Sequence, residues 1–568
     1  MVDPSERASH GPPGSIPASG GEVTSRERGR GVAEIISLSD VNGVQILIVV
    51  GAGIAVSALA HRRGMQPGLV VVTLAAAASF LPGMPRLELE SELILAIVVP
   101  PLLYSATRGA SVTGFGRNLR AIINLGVLLV VLTAGALGVL SSWLLPSIGL
   151  AAAFVLGSVL APPDTITTVS HGAELGLPRR VTTILTGESL VNDATALTLF
   201  SIAVGAVSGA HTTWGSGIRE FAYNAGVGLA VGGLLAVATL WVRKRLHNPT
   251  LETALVLLVP FTAFLAAEQV HASGILAVVL AAFSISANTS FDPRHQYPGA
   301  YRTRLQEDAF WPVADFLLET FVFAYMGLQL RFVVEDLRAE EDPGLTRTLI
   351  AAGVLLLAAI VLRLAGVYAL FGRWQLRDFL RKRRLDADPD LARRLEERRG
   401  RGRDRGRGRD RGRGRDRGRP RRAPLSPPTA RETLVVGWTG MRGILTLAAA
   451  AAIPETTANG EPFPGRDAIQ AIALIVTLGT LLLQGTTIRR LVSLLGMDVR
   501  AEREAAAAMH DRGREIVTEA AAGTTDADFD RQRHGLAEAM MRDEIDEETA
   551  RALIAEIDLR QAARHTLS

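Results

Sequence analysis

The chain has 568 residues, of which 48% are hydrophobic and 20% charged, with a net charge of +4 and a positive mean hydropathy. It contains no cysteine, which excludes a disulfide framework, a thiolate metal site and a cysteine nucleophile. The apolar residues gather in stretches near twenty long, about the length that spans hydrocarbon roughly 30 Å thick as a helix, and this excludes an ordinary soluble protein.

In chain order, residues 1–42 are rich in Ser, Gly and Pro and read as a disordered arm. The apolar run after Gly43 is too long for the core of a cleaved signal and is taken as the first span. Spans are predicted at 43–61, 67–82, 91–108, 119–145, 149–170, 178–207, 221–243, 251–269, 272–288, 309–331, 346–372, 432–453 and 466–487. These form an all-α integral membrane domain of about thirteen transmembrane helices, in two parts at 43–372 and 432–490. Alternate loops carry Arg62-Arg63, Arg108/Arg117/Arg120, Arg179-Arg180, Arg243-Lys244-Arg245 and Arg294/Arg302/Arg304, whereas the intervening short loops hold one arginine, Arg219. The excess of basic residues marks the cytoplasmic side, so the N-terminus is predicted outside and the C-terminus in the cytoplasm.

The loop 373–431 ends in Arg-Gly-Arg-Asp repeats between Arg399 and Arg422, a composition that cannot build a core. RNA or anionic-lipid binding is the alternative to a solvated cytoplasmic linker; the linker is preferred and no nucleic acid is expected as a partner. The charged, Ala-rich segment 491–568 has helical spacing and reads as a cytoplasmic helical tail.

Two spans are interrupted. The fifth contains Pro162-Pro163, and the twelfth contains Gly437-Trp438-Thr439-Gly440 with Gly443. Setting spans 1–6 against 8–13 makes each broken helix the fifth of its set, and the sets begin on opposite faces. Interrupted helices at matching positions of inverted six-helix repeats point to a transporter's binding site.

The residues at those breaks carry the chemistry. Prolines 162 and 163 lack N–H groups, which frees the carbonyls of Ser158 and Val159, and unwound backbone is tolerated at membrane depth only in protein or beside a cavity. Together with Asp164, Thr165, Thr167 and Thr168 these carbonyls make an all-oxygen environment suited to a small cation such as Na⁺. The plainer reading is a proline kink with Asp164 at a wetted helix end. In the sixth span, Glu188, Ser189, Asn192 and Asp193 interrupt an apolar helix. Each charge at mid-membrane costs about 2.5–3.5 kcal/mol on insertion scales, so such residues face the interior and mark a pathway. Glu188/Asn192 and Ser189/Asp193 are i,i+4 pairs on one arc. Arg442, the lone cation in the core of the twelfth span, needs a carboxylate if it does not snorkel to the interface, and Glu188 is the expected partner. Glu252, Glu268, His271 and Glu319 read as helix-end or packing residues.

Pro100-Pro101-Leu102-Leu103-Tyr104, Gly187-Glu188-Ser189-Leu190 with Asn192-Asp193, and Ser273-Gly274-Ile275-Leu276-Ala277 appear in order. They are followed by Phe323-Ala324-Tyr325-Met326-Gly327-Leu328, Gly440-Met441-Arg442-Gly443, and Thr477-Leu478 with Gln484-Gly485-Thr486-Thr487. Over roughly 43–490 the chain resembles the monovalent cation:proton antiporter-1 family, the bacterial NhaP-type and animal sodium/proton exchangers. The resemblance implies a thirteen-helix inverted repeat, a homodimer in the bacterial plasma membrane, a dimerisation part and a six-helix ion-binding core. It implies that Asp193 alternately binds Na⁺ and H⁺, that Ser189, Asp164 and a carbonyl near Pro163 complete the shell with Asn192 as orienter, and that Glu188 pairs with Arg442. No cofactor is implied beyond the transported ions. The chain departs from the family's commoner Asp-Pro order by having Pro163-Asp164-Thr165. One titrating carboxylate in the Asn192-Asp193 pair resembles the electroneutral one-for-one members. A K⁺/H⁺ or Li⁺-favouring exchanger shares every motif, and a cation channel would need no competition between proton and ion. An intramembrane enzyme would show a nucleophile–base pair, paired aspartates or a His-Glu-x-x-His zinc helix, and none is found.

Overall fold

A computed structural model describes residues 25–65, 67–82, 84, 96–165, 177–207, 214–291, 300–339, 342–387, 428–497 and 500–567. The chain divides into a short N-terminal unit, Met1–Ala52, and a large one, Gly53–Ser568. Every regular element among the described residues is helical: α1 Ser25–Arg62, α2 Pro67–Ser79, α3 Val99–Arg108, α4 Val112–Ile123, α5 Val130–Leu144, α6 Gly149–Leu160, α7 Arg179–Val207, α8 Trp214–Arg243, α9 Pro249–Glu268 and α10 Gly274–Phe291. They continue with α11 Ala300–Ala339, α12 Gly344–Ala387, α13 Ala430–Trp438, α14 Ile444–Ala451, α15 Arg466–Thr480, α16 Thr486–Leu495, α17 Arg500–Ala520, α18 Asp526–Met541 and α19 Glu547–Leu567. Widened π turns join α4 to α5 (Asn124–Leu129) and α15 to α16 (Leu481–Gly485).

Among the described residues eight helices are long and apolar enough to cross a membrane, and Pro67–Ser79, Pro146–Leu160 and Gly274–Asn288 are shorter apolar helices. Their outward faces stay apolar: Trp143 is 75% exposed, Leu234 72% and Leu357 64%. In water such patches would drive aggregation; against lipid they are at home.

The first helix differs from the expected arm. It begins at Ser25 rather than near residue 43. The segment Arg26–Ile36 contains no proline and ends in Val32-Ala33-Glu34-Ile35-Ile36, so a helix nucleated in the apolar run propagates back through it. Residues 1–24 lie outside the described residues, as do the Arg-Gly-Asp repeats. Likewise α12 continues to Ala387, fifteen residues into the expected loop.

Helix starts are set by local chemistry. The Asn248 side chain accepts from the N–H groups of Thr250 and Leu251 at α9, and Thr429 with Glu432 forms a capping box at α13, each satisfying donors that a helix start leaves open. Two bundles emerge. One packs α2, α3, α8, α9, α10 and α11 on each other; the other packs α4–α7 with α12–α16. We call them the scaffold and the core. Within the core, α5 and α6 touch backbone to backbone: a Cβ on Gly157 would lie 2.3 Å from the Ala134 carbonyl oxygen, so only glycine permits this approach. The tail is a three-helix element of the large unit, with Phe529, Leu536, Leu553 and Ile557 in a core of its own.

Candidate functional site at the helix crossing

The two interrupted segments meet. α6 stops at Leu160, Pro162-Pro163 follow, and Asp164 pairs antiparallel with Met441 in the gap between α13 and α14. The Asp164 N–H donates to the Met441 carbonyl at 2.5 Å. Residues 440–443 are therefore out of the helix, with Gly443 extended, and Gly443 lies directly beneath the Asp164 side chain. A Cβ at 443 would fall 1.7 Å from Asp164 Oδ2, which explains the glycine. Asp164 is half-buried here, part of the crossing rather than a wetted helix end. Thr165 Oγ1 donates to the Leu185 carbonyl at 3.0 Å and fastens the crossing to α7. Thr167 and Thr168 lie outside the described residues.

Along α7 the predicted cluster divides by role. Asn192 is fully buried and its Nδ2 donates to the Pro163 carbonyl at 2.7 Å. That carbonyl, expected as an ion ligand, thus spends one lone pair on Asn192 and keeps the other. Asn192 Oδ1 and Ser189 Oγ are buried with no hydrogen-bond partner among the described residues. Asp193 borders a small crevice with Ser158, Pro162, Phe200 and Leu445, within electrostatic reach of Asp164. Ser189 lies one turn before Asp193 on α7 and Asn192 beside it, so two unsatisfied neutral oxygens neighbour this carboxylate in the chain, with Asp164 acting on it electrostatically. Buried polar atoms left without partners are costly, and a hard, small cation is the kind of guest whose coordination relieves that cost.

The expected Glu188–Arg442 pair does not form. Glu188 is bound by Arg363 of α12: Nη1 reaches Oε1, Nη2 donates to Oε2 at 2.9 Å, and Nη2 also donates to the Val436 carbonyl at 3.1 Å. Glu188 and Arg363 are 0% and 3% exposed. The planar fork of arginine matches a carboxylate bidentately, which two groups so deep require. Arg442 (1% exposed) turns instead to backbone: Nε donates to the Leu160 carbonyl at 3.0 Å and Nη1 to the Gly440 carbonyl at 2.6 Å. The reason lies in the breaks. Asp164 gives its N–H to Met441, so the Leu160 carbonyl at the end of α6 loses its helical donor. A cation at the negative ends of two half-helices is favourable, and Arg442 serves both.

Arg363 is the residue that sequence reasoning missed. It was visible as the lone cation in the middle of the 346–372 span, where the rule applied to Arg442 applied equally. Glu252, read as a helix-end or packing residue, instead belongs to a second buried network: Arg243 donates to Glu252 at 3.1 Å and to Glu307 at 3.3 Å within the scaffold.

With this geometry in view, comparison with known proteins is decisive. The family described as "Sodium/hydrogen exchanger, transmembrane" matches residues 44–494. This chain belongs to the sodium/hydrogen exchanger family. An uncharacterized Na⁺/H⁺ exchanger of Mycobacterium tuberculosis is 31% identical over 460 residues, 79% of this chain and 74% of that one. A "Sodium, potassium, lithium and rubidium/H⁺ antiporter" of Bacillus subtilis is 26% identical, covering 73% of this chain and 56% of that one. The fold matches the solved sodium proton antiporter MjNhaP1 from Methanocaldococcus jannaschii at pH 8, with a TM-score of 0.56 and 14% identity over 80% of this chain and 99% of that one. The exchanger is thus a multi-pass membrane protein with the NhaP-type antiporter fold, and cation/proton exchange is the activity that family membership carries.

Proposed function

We propose that the exchanger carries Na⁺ or Li⁺ against H⁺, one for one, by alternating access around Asp193. The observation that carries this reading is the pair of buried oxygens, Ser189 Oγ and Asn192 Oδ1, that find no partner among the described residues, beside a carboxylate that no described arginine neutralises. Asp193 holds a proton or a cation, never both, and Asp164, Ser189 and the free lone pair of the Pro163 carbonyl complete the cation's shell. Asn192, tied to Pro163, orients its neighbour. Glu188 and Arg363 neutralise each other and leave the titration to Asp193. With a single exchanging carboxylate the cycle moves no net charge. The protein works as a homodimer in the bacterial plasma membrane, with its N-terminus outside and its C-terminus in the cytoplasm, as the arginine-rich loops support.

A second reading, K⁺/H⁺ exchange at the same site, draws on the Bacillus subtilis relative whose name includes potassium. The test is ion-driven proton movement in vesicles, wild type against Asp193→Asn, with Na⁺, Li⁺ and K⁺ in turn. Exchange that persists in the variant would sink the mechanism. Exchange with K⁺ alone would select the second reading, and stimulation by an imposed membrane potential would overturn the one-for-one stoichiometry.

A further inference from the structure

Glu319 reads as a packing residue in the sequence and takes no part in the exchange cycle above. In the predicted span 309–331 it lies about ten residues from the cytoplasmic end, roughly 15 Å along a helix and so near the middle of the hydrocarbon. A charge at that depth is expensive and is kept facing the protein interior. α11 belongs to the scaffold but also packs against α14 and α15 of the core, so it runs along the boundary between the bundles. Glu319 is half-buried there. The charges acting on it are Asp164, across the boundary, and Asp315, one turn nearer the cytoplasm on α11. Asp315 is anchored within the scaffold, because Ser105 Oγ of α3 donates to its Oδ2 at 2.5 Å, and Arg108 offsets part of its charge. Among the described residues no cation does the same for Glu319. On the far side of the ion site the space is nearly closed. The crevice bordering Asp193, lined by Phe200, Leu445 and Ala449 toward the outer ends of α7 and α14, holds about 10 Å³, the room of a single water.

We propose that Glu319 is a scaffold-borne charge that makes the ion site bind Na⁺ more tightly when it faces the cytoplasm than when it faces outside. The inference rests on the alternating-access reading and the membrane orientation above. When the core moves against the scaffold, Asp164, Ser189 and Asp193 travel with the core, and Glu319 stays behind. Its negative field therefore reaches the bound cation in the present arrangement and fades in the other, because the attraction falls with distance. The present arrangement is the cytoplasm-facing one: the crevice on the outer side of Asp193 is closed, and the acidic face of α11 runs from Glu319 through Asp315 toward the cytoplasm. A difference in affinity between two states is what lets a ligand bias a carrier between them. An exporter with this bias loads cation where it is scarce and lets it go where it is plentiful. The same field favours the competing proton, so the effect is read at alkaline pH, where the cation meets no competitor.

The experiment uses the full chain in inside-out and in right-side-out vesicles, so that added Na⁺ meets the cytoplasmic face in one and the outer face in the other. Glu319→Gln is expected to raise the KM for Na⁺ at the cytoplasmic face about three- to tenfold, with the outer-face KM unchanged and kcat altered less than KM. The unchanged outer-face value shows in the same protein that the variant is folded and active. Glu319→Asp keeps the charge and should keep most of the cytoplasmic affinity. An unchanged cytoplasmic KM in Glu319→Gln overturns the proposal, and so does a rise at both faces or at the outer face alone. An aspartate that behaves like the glutamine overturns it too, because shape rather than charge would then be the cause. Asp193→Asn should abolish exchange from either face; activity surviving there would contradict the ion-site reading and leave the two failures distinct.

Discussion

The crossing in the core and the ionic network in the scaffold are both buried, and they handle charge in opposite ways. In the scaffold, Arg243 lies between Glu252 and Glu307, Thr303 adds a bond to Glu252 at 3.3 Å, and Arg108 reaches Glu307 at 3.6 Å. Each carboxylate there meets a guanidinium. At the crossing, two guanidinia are present but neither is spent on Asp193: Arg363 is committed to Glu188 and Arg442 to two carbonyls. A buried charge that is matched by its neighbours holds structure together. On the proposed reading, one left unmatched beside buried oxygens without hydrogen-bond partners is what an exchanged ion would use.

The sharpest way to break this contrast is to disturb each of the two acidic residues on α7 in turn. Arg363→Ala leaves Glu188 buried without a partner and should cost about 3–5 kcal/mol, read as a large fall in the thermal unfolding midpoint of the purified protein. Asp193→Asn should leave that midpoint unchanged or raise it, since an unmatched charge is removed. Equal destabilisation by both would dissolve the distinction between a structural and an exchanging carboxylate.

Next in size is the crossing itself. Gly443→Ala puts a methyl group where Asp164 Oδ2 now lies, and the extended segment must shift to accept it. Transport should fall by at least tenfold while the scaffold stays folded, measured by exchange rate beside hydrogen exchange in α9 and α11. Retained transport would mean that the Asp164 carboxylate does not need its present position.

These positions were not equally legible in the sequence. Asn192 and Asp193 stood out because polar residues in an apolar helix are expensive, and Pro162-Pro163 and Gly440/Gly443 stood out because they break helices. Partner choice was not legible. Arg363 and Arg442 are both lone buried cations, and which one meets Glu188 depends on how α12 packs against α7. It depends also on the backbone bond between Asp164 and Met441, which frees the Leu160 carbonyl for Arg442. The tail's helices were readable from spacing, but the bond from Thr113 to Glu547 joins residues 434 apart, and nothing local announces it.

Smaller effects sharpen the picture. Asn192→Ala removes the bond to the Pro163 carbonyl and should cost about 1–2 kcal/mol of stability, with a partial loss of exchange as Asp193 loses its orienting neighbour. Ser189→Ala should leave stability nearly untouched, because its hydroxyl has no partner to lose, while weakening the apparent Na⁺ affinity several-fold in transport assays. A Ser189→Ala protein that loses stability but not affinity would move that hydroxyl from the ion's shell to the helix packing.

Competition at Asp193 is tested most directly by proton release. Purified protein in a weakly buffered solution near its working pH is given Na⁺, and the protons expelled are counted. The account predicts close to one proton released for each ion bound, and neither binding nor release in Asp193→Asn. Proton release that survives in the variant, or Na⁺ binding to the wild type with no proton released at any pH, would contradict it.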